Sequence, residues 1–309
     1  RPEISDYEIY QIFENNKRVI LLLLEEKLIQ PNELIISKIM QTKDKNSFPY
    51  SHYLYSVIKS FINENEKKWI ESEIKQKYGE EITNFEEKCR IGENDSYICS
   101  LIRQDSVEEF ISYVNRTQTS LSSQIQPSIF ETNSFLMQKK PTLIEYATFF
   151  GSIQIIQYLK YSNVPLTNSL WLYAIHSNNA NIIHFLEENE IKPEENSKNK
   201  QKMQRLIRDK RYDFPGCQQS ITYEKIFEES ILCHHNAIAD YIRDNFLNNL
   251  QIDCFGKYIT NCYNYYYFPT DIGYIISDSK NSNGFDISQI CFSLTQIIIP
   301  SSVTSIGDN

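Results

Sequence analysis

The sequence predicts a mainly α protein: a helical-pair solenoid with an N-terminal helical region ahead of it and a small β-rich C-terminal segment. Three observations predict this. Residues 1–92 carry apolar side chains at helical spacing. Residues 93–250 repeat a helix–break–helix unit, with an inserted loop near 192–220. Residues 251–309 turn aromatic and β-branched, which suits extended chain.

The first region reads as successive helices. Ile4 to Gln30 places Tyr7, Ile9, Tyr10, Phe13, Val19, Ile20, Leu22, Leu23 and Leu24 near helical spacing, and Pro31-Asn32 ends that run. A short helix is expected through Met40, then a polar turn from Gln41 to Ser47. A third helix is expected over Tyr50 to Lys77, where Tyr53, Leu54, Val57, Ile58, Phe61 and Ile62 form one stripe and Gly79 stops the helix. Ile82 to Cys89 gives a fourth.

The second region repeats itself. Ile144 to Leu159 aligns with Trp171 to Leu186 at a constant offset of 27: Ala147 falls on Ala174, Ile155-Ile156 on Ile182-Ile183, and Tyr158-Leu159 on Phe185-Leu186. Phe227 to Ile242 is a further copy with Ser230 in the alanine place, and Cys99 to Val114 is a weaker one upstream. Ser106, Gly151, Asn178 and His234 mark the breaks between the two helices of each unit. So short a pair cannot bury both faces alone, and stacking on a neighbour solves that problem.

The order small residue, break, then Ile-Ile-x-aromatic-Leu resembles the ankyrin repeat. Thr142-Leu-Ile-Glu-Tyr-Ala147 stands where that repeat has Thr-Pro-Leu-His-x-Ala, and Gly151 stands at its inter-helix glycine. Leu143 replaces the proline and Glu145 the histidine, and the offset of 27 is shorter than the roughly 33 residues of an ankyrin unit. Helical pairs are therefore expected, with the β-turn fingers between units short or absent. Asn94 to Arg103, Pro127 to Asn133, Tyr146 to Ser152, Ser169 to His176 and Cys233 to Asn236 together resemble a large uncharacterised family of ankyrin-type proteins found in trichomonad parasites.

Composition narrows the function classes. The chain has 309 residues, 41% of them hydrophobic and 13% aromatic, ample for a core and enough to exclude wholesale disorder. A formal net charge of −9 argues against a general nucleic-acid binder. Val19 to Leu24 is the longest fully aliphatic run, six residues, so no membrane span is expected where about 20 are needed. Seven cysteines without a CxxC suit reduced thiols and an intracellular, cytoplasmic protein. No secretory signal is read, and the opening Arg1 leads us to expect that the natural N-terminus lies upstream.

Two stretches invite other readings. From 198 to 211, Lys198, Lys200, Lys202, Arg205, Arg208, Lys210 and Arg211 face only Asp209. A solvated loop insertion is expected there; a basic patch for RNA, membrane phosphate or an acidic peptide is the alternative. Tyr263, Tyr265, Tyr266, Tyr267 and Phe268 read as a half-buried strand rather than a base-stacking platform, since Lys257 is their one basic companion. Phe292 to Asn309, with Leu294, Ile297, Ile299, Pro300 and Gly307, looks like one unit of a BspA-like leucine-rich repeat. That likeness implies an alternative function, a cell-surface antigen or adhesin whose repeats continue past Asn309.

No catalytic constellation is found: the sequence has no GxGxxG, P-loop, HExxH or GxSxG. Cys233, His234 and His235 are adjacent, and neighbours on a helix point about 100° apart, so a zinc site is not expected. Nor do His176 and His184, assigned to different helices, form a ligand pair. The expectation is thus a non-enzymatic protein–protein interaction scaffold or adaptor with no cofactor, no metal and no small-molecule substrate. Its partner surface is placed at Tyr146, Phe149, Phe150, Tyr173, His176 and Ser177, on the first helices of two units.

Overall fold

A computed structural model describes residues 4–194 and 221–247. The chain divides into two compact units, Arg1–Lys192 and Pro193–Asn309. Among the described residues the secondary structure is helical, with no strand and two isolated β-bridges, Lys43–Pro49 and Gln124–Thr142.

In the first unit, α1 (Asp6–Phe13), α2 (Lys17–Glu25) and α3 (Glu33–Gln41) open the chain. The single helix expected over Ile4 to Gln30 is in fact two. Ser5 and Glu8 form a reciprocal capping box on α1, and the Asn16 side chain accepts from Val19 N at 3.1 Å to start α2. An Asn side chain that bonds the backbone ahead of it favours a cap over continued helix. The helix expected over Tyr50 to Lys77 is likewise three: α4 (Tyr50–Tyr53), α5 (Tyr55–Ile58) and α6 (Glu64–Tyr78). Asn63 and Glu66 form a second capping box at α6, and Gly79 ends it at φ 66°. Phe61, expected on the buried stripe, falls in the break and is 53% exposed. Helix α7 (Ile82–Ile91) stops at Gly92, also left-handed.

These helices close on a core that includes Tyr10, Ile20, Leu21, Ile35, Ile39, Tyr53, Ile58, Ile70 and Phe85. Two residues from far along the chain, Ile129 and Phe130, complete it. Their segment is tied down by polar bonds. The Lys17 ammonium, 2% exposed, donates to Asp44 at 2.7 Å and to the Ile129 carbonyl at 2.6 Å, and lies 4.8 Å from the Tyr53 ring centre. Burial pushes the Lys17 pKa down, and Asp44 opposes that shift. Thr132 bonds the Gly92 carbonyl through both its N–H and its hydroxyl, and Ser128 donates to Asp95 at 3.0 Å. Hydrogen bonds from Thr132 to Gly92 and from Ser128 to Asp95 thus lie on both sides of the sequence-based boundary at 92/93.

After Gly92 come helix pairs: α8 (Tyr97–Arg103) with α9 (Val107–Thr117), α11 (Leu143–Phe150) with α12 (Ile153–Tyr161), and α13 (Leu170–Ser177) with α14 (Ala180–Glu188). A short extra helix, α10 (Ser134–Lys139), precedes the second pair. First helices meet in succession, α8 on α11 and α11 on α13, while α9 meets α12. The second unit contributes one described pair, α15 (Tyr223–Leu232) and α16 (Asn236–Phe246).

The basic stretch 198–211, the tyrosine run and the segment resembling a leucine-rich repeat lie outside the described residues, as does most of the insertion expected near 192–220. So does the β-rich C-terminal segment.

Candidate interaction surface

The turns inside the pairs set the geometry of everything beside them. Asp105, Gly151, Asn178 and His234 all adopt left-handed φ, at 51°, 74°, 49° and 58°. In three of these turns the following residue then donates its N–H to a carbonyl five back, Ser106 to Leu101, Ser152 to Ala147 and His235 to Ser230, whereas Asn179 N donates to Ser177 Oγ. This is a Schellman-type closure, and it fixes the register without reference to side chains. Ala147, Ala174 and Ser230 indeed share a place, all wholly buried. In the first pair the sequence alignment is one residue off: Leu101, not Ile102, matches Ala147, and Asp105 rather than Ser106 makes the left-handed step. A hydrophobic word alone cannot detect so small a slip.

Neighbouring turns of the first unit are bonded to each other. The Asp105 carboxylate accepts from Gln154 N at 3.1 Å and Ile155 N at 3.0 Å, so it caps the start of α12 in the next pair. Ser152, the residue that would ordinarily cap α12, makes no such bond, and its hydroxyl donates to the Ile102 carbonyl at 2.5 Å. Further along, Glu145 forms the capping box with Thr142 and also accepts from Ser169 Oγ at 2.7 Å, just before α13. The Glu145 carboxylate thus bonds within its helix and to the next pair. The chain beside it passes Ile125 N to the Pro141 carbonyl and Leu143 N to the Ser123 carbonyl.

Against this frame the six residues predicted as a surface separate into two groups. Tyr146 is 1% exposed and Tyr173 is 4% exposed, so both belong to the interior rather than to an outward face. Tyr146 is held by a polar anchor that sequence spacing does not reveal, and Tyr173 packs against the Phe135 ring. Arg103 donates to Tyr146 Oη at 2.9 Å and to the Asn94 carbonyl at 2.9 Å, and pairs with Glu93. Burial pushes both phenol pKa values up, so these hydroxyls stay neutral. Phe149, Phe150, His176 and Ser177 are half-buried.

The half-buried rings form one cluster, joined by a member that sequence reasoning missed. Phe135 of α10 sits 4.0 Å from His176, 6.1 Å from Phe149 and 5.0 Å from Tyr173, measured between ring centres. Phe149 also touches Phe150 and His176, at 5.0 and 5.1 Å. Cations flank it: Lys139 lies 6.0 Å from the Phe135 ring and Arg103 lies 5.9 Å from the Phe150 ring. The missed signal was Asn133 before Ser-Phe-Leu-Met-Gln-Lys, a cap followed by apolar residues; the Asn133 side chain accepts from Phe135 N and Leu136 N.

The residues weighed for chemistry fall as follows. Cys233, His234 and His235 are three consecutive backbone positions of the turn between α15 and α16. His176 and His184 stand on different helices, α13 and α14. The thiols of Cys89 and Cys99 are buried, and burial pushes both pKa values up, away from the thiolate. Among the described residues no helix is long and apolar enough to cross a membrane. Comparison with protein-family profiles, with curated proteins and with solved structures finds no match for this chain.

Proposed function

We infer that this chain is a non-enzymatic interaction scaffold whose helix pairs form an ankyrin-like solenoid and whose partner is a protein. The observation that carries the reading is the ring cluster of Phe135, Phe149, Phe150 and His176, gathered from α10, α11 and α13 and left half-buried. Aromatic side chains held by rigid helices, with Arg103 beside them, have the composition of a binding hot spot. Supporting it, the turns repeat one backbone geometry and bond from pair to pair, as an array built to present a surface requires. Catalysis and cofactors play no part in this reading.

A photo-crosslinking amino acid at position 149 of the full chain tests it, with position 157, exposed on α12, as control. In extract of the source cell, a discrete protein adduct is expected from 149 and not from 157. Once identified and purified, that protein should lose binding to Phe149→Ala while the circular-dichroism spectrum stays intact. Equal labelling from both positions, or binding untouched by Phe149→Ala, refutes the assignment.

The run from Phe292 to Asn309 favours a second reading, a cell-surface protein of the BspA-like leucine-rich-repeat class. Biotinylation of intact source cells decides between them: a labelled chain supports the surface reading, and label confined to lysed cells removes it.

A further inference from the structure

A second surface, separate from the helix pairs and independent of the reading above, lies in the N-terminal helical region. A groove of about 660 Å³ runs between α3 and the break before α6. Pro31, Ile36 and Met40 line one side and Phe61 the other. Glu33, Ile36 and Met40 recur at helical spacing on α3, so one whole face of that helix borders the groove while Ile35 and Ile39 fill the core behind it. Phe61 is 53% exposed, although it follows a run of residues that are mostly interior. A phenyl ring left half in water across from Ile36 and Met40 costs free energy that a ligand would recover.

The charge of the lining selects the ligand. Glu33 and Glu66 stand at the groove, and no Lys or Arg lines it. One Glu66 oxygen accepts from Asn63 N at 3.0 Å, which fixes that carboxylate in place. A groove that sets Ile36, Met40 and Phe61 among Asn32, Ser37 and Gln41 and carries two carboxylates matches the geometry in which an amphipathic helix is laid down with its apolar side inward. We propose that this groove docks an amphipathic helical segment of a partner protein, apolar on the face that meets Ile36, Met40 and Phe61 and carrying Lys or Arg on the flanks that meet Glu33 and Glu66. The apolar contacts supply the affinity, and the carboxylates decide which helices are accepted.

The test is a display library of amphipathic helices, each about 18 residues or five turns long, with flanking positions randomised among Lys, Glu and Gln. Selection runs on the full chain and on Phe61→Asp in parallel, with circular dichroism confirming that the variant folds. Clones retained by the natural chain and lost on Phe61→Asp are expected to be enriched in Lys at the flanks. Their binding should weaken severalfold between about 0.05 and 0.5 M salt, since exposed charge pairs are screened over that range. Glu33→Lys, an exposed change that leaves the α6 capping box intact, should shift the selected flanks toward Glu. No Phe61-dependent clone, or flanks of neutral or acidic composition, overturns the proposal. So does retention of the protein on phosphatidylcholine vesicles through Phe61 in the absence of any peptide binding, because the groove would then be a lipid contact.

Discussion

Asp105 does two jobs that substitution can separate. Its backbone sits at φ 51°, where an L side chain is strained, and its carboxylate caps α12 through the N–H groups of Gln154 and Ile155. Losing an acidic cap costs about 1–2 kcal/mol. Placing Ala rather than Asp in the left-handed region adds roughly 1 kcal/mol, because Ala lacks the polar side chain that tolerates it. Asp105→Ala should therefore lower stability by about 2–3 kcal/mol. Asp105→Gly loses the cap but sheds the strain, and its extra freedom when unfolded offsets part of that relief, so about 1–2 kcal/mol is expected. Asp105→Asn keeps an acceptor and tolerates the backbone, and should lose under about 1 kcal/mol. Urea unfolding at fixed pH gives the order, and hydrogen exchange should show Gln154 and Ile155 losing protection in the Ala and Gly variants. If Gly falls as far as Ala, left-handed strain plays no part. If Gly loses nothing, the bond to the next pair contributes nothing and the linkage between turns is wrong.

Three further outcomes follow from the core. Ala147→Leu and Ala174→Leu should each cost about 1–3 kcal/mol by overpacking, whereas the same change at exposed Ala180 should stay within about 0.5 kcal/mol in denaturant melts. Lys17→Met should cost about 3–5 kcal/mol by stranding the Asp44 carboxylate, and Asp44→Asn in the same chain should restore part of it, a double-mutant cycle read by thermal unfolding. His52 is wholly buried and its pKa is pushed from 6.5 to about 4, first by burial and then by Lys77. The unfolded chain takes up the proton first as pH falls. The His52 contribution to stability is therefore complete above about pH 6.5, declines between there and about pH 4 by at most ~1.4 kcal/mol per unit, and levels off below. Stability curves of the natural chain and His52→Phe should diverge only inside that window, and parallel curves would contradict it.

Local chemistry was legible in the sequence, and facing was not. Thr142-Leu-Ile-Glu145 announces a helix start, Gly79 a stop, and the 27-residue offset places Ala147 and Ala174 correctly. Asn16 and Asn63 carried the signal for two breaks, but the apolar stripes around them read through as longer helices. Tyr146 and Phe149 lie three residues apart on one helix, so spacing gives both the same claim to the surface. Arg103, 43 residues earlier, draws the Tyr146 hydroxyl inward, and α10 lays Phe135 against Phe149. Such choices are made by contacts distant in sequence, which periodicity does not encode. The same holds for Lys17, a charged residue whose burial depends on Ile129, 112 residues further along.

The tie between Lys17 and the segment around Ile129 divides the helix pairs of the first unit into a fixed foundation and a part free to grow. The connection from α9 to α11 is committed to the N-terminal core at Ile129, Phe130 and Thr132, so the first pair cannot be copied or exchanged without breaking that seal. Downstream, the link from α12 to α13 closes on its own helix, through Asn163 N to the Lys160 carbonyl and Val164 N to the Leu159 carbonyl. A tandem duplication of residues 162–188 would therefore add a whole pair in register, its serine meeting a glutamate-free helix end at the cost of one hydrogen bond. Lineages carrying this architecture should vary in length on the C-terminal side of Tyr161 and hold constant before it.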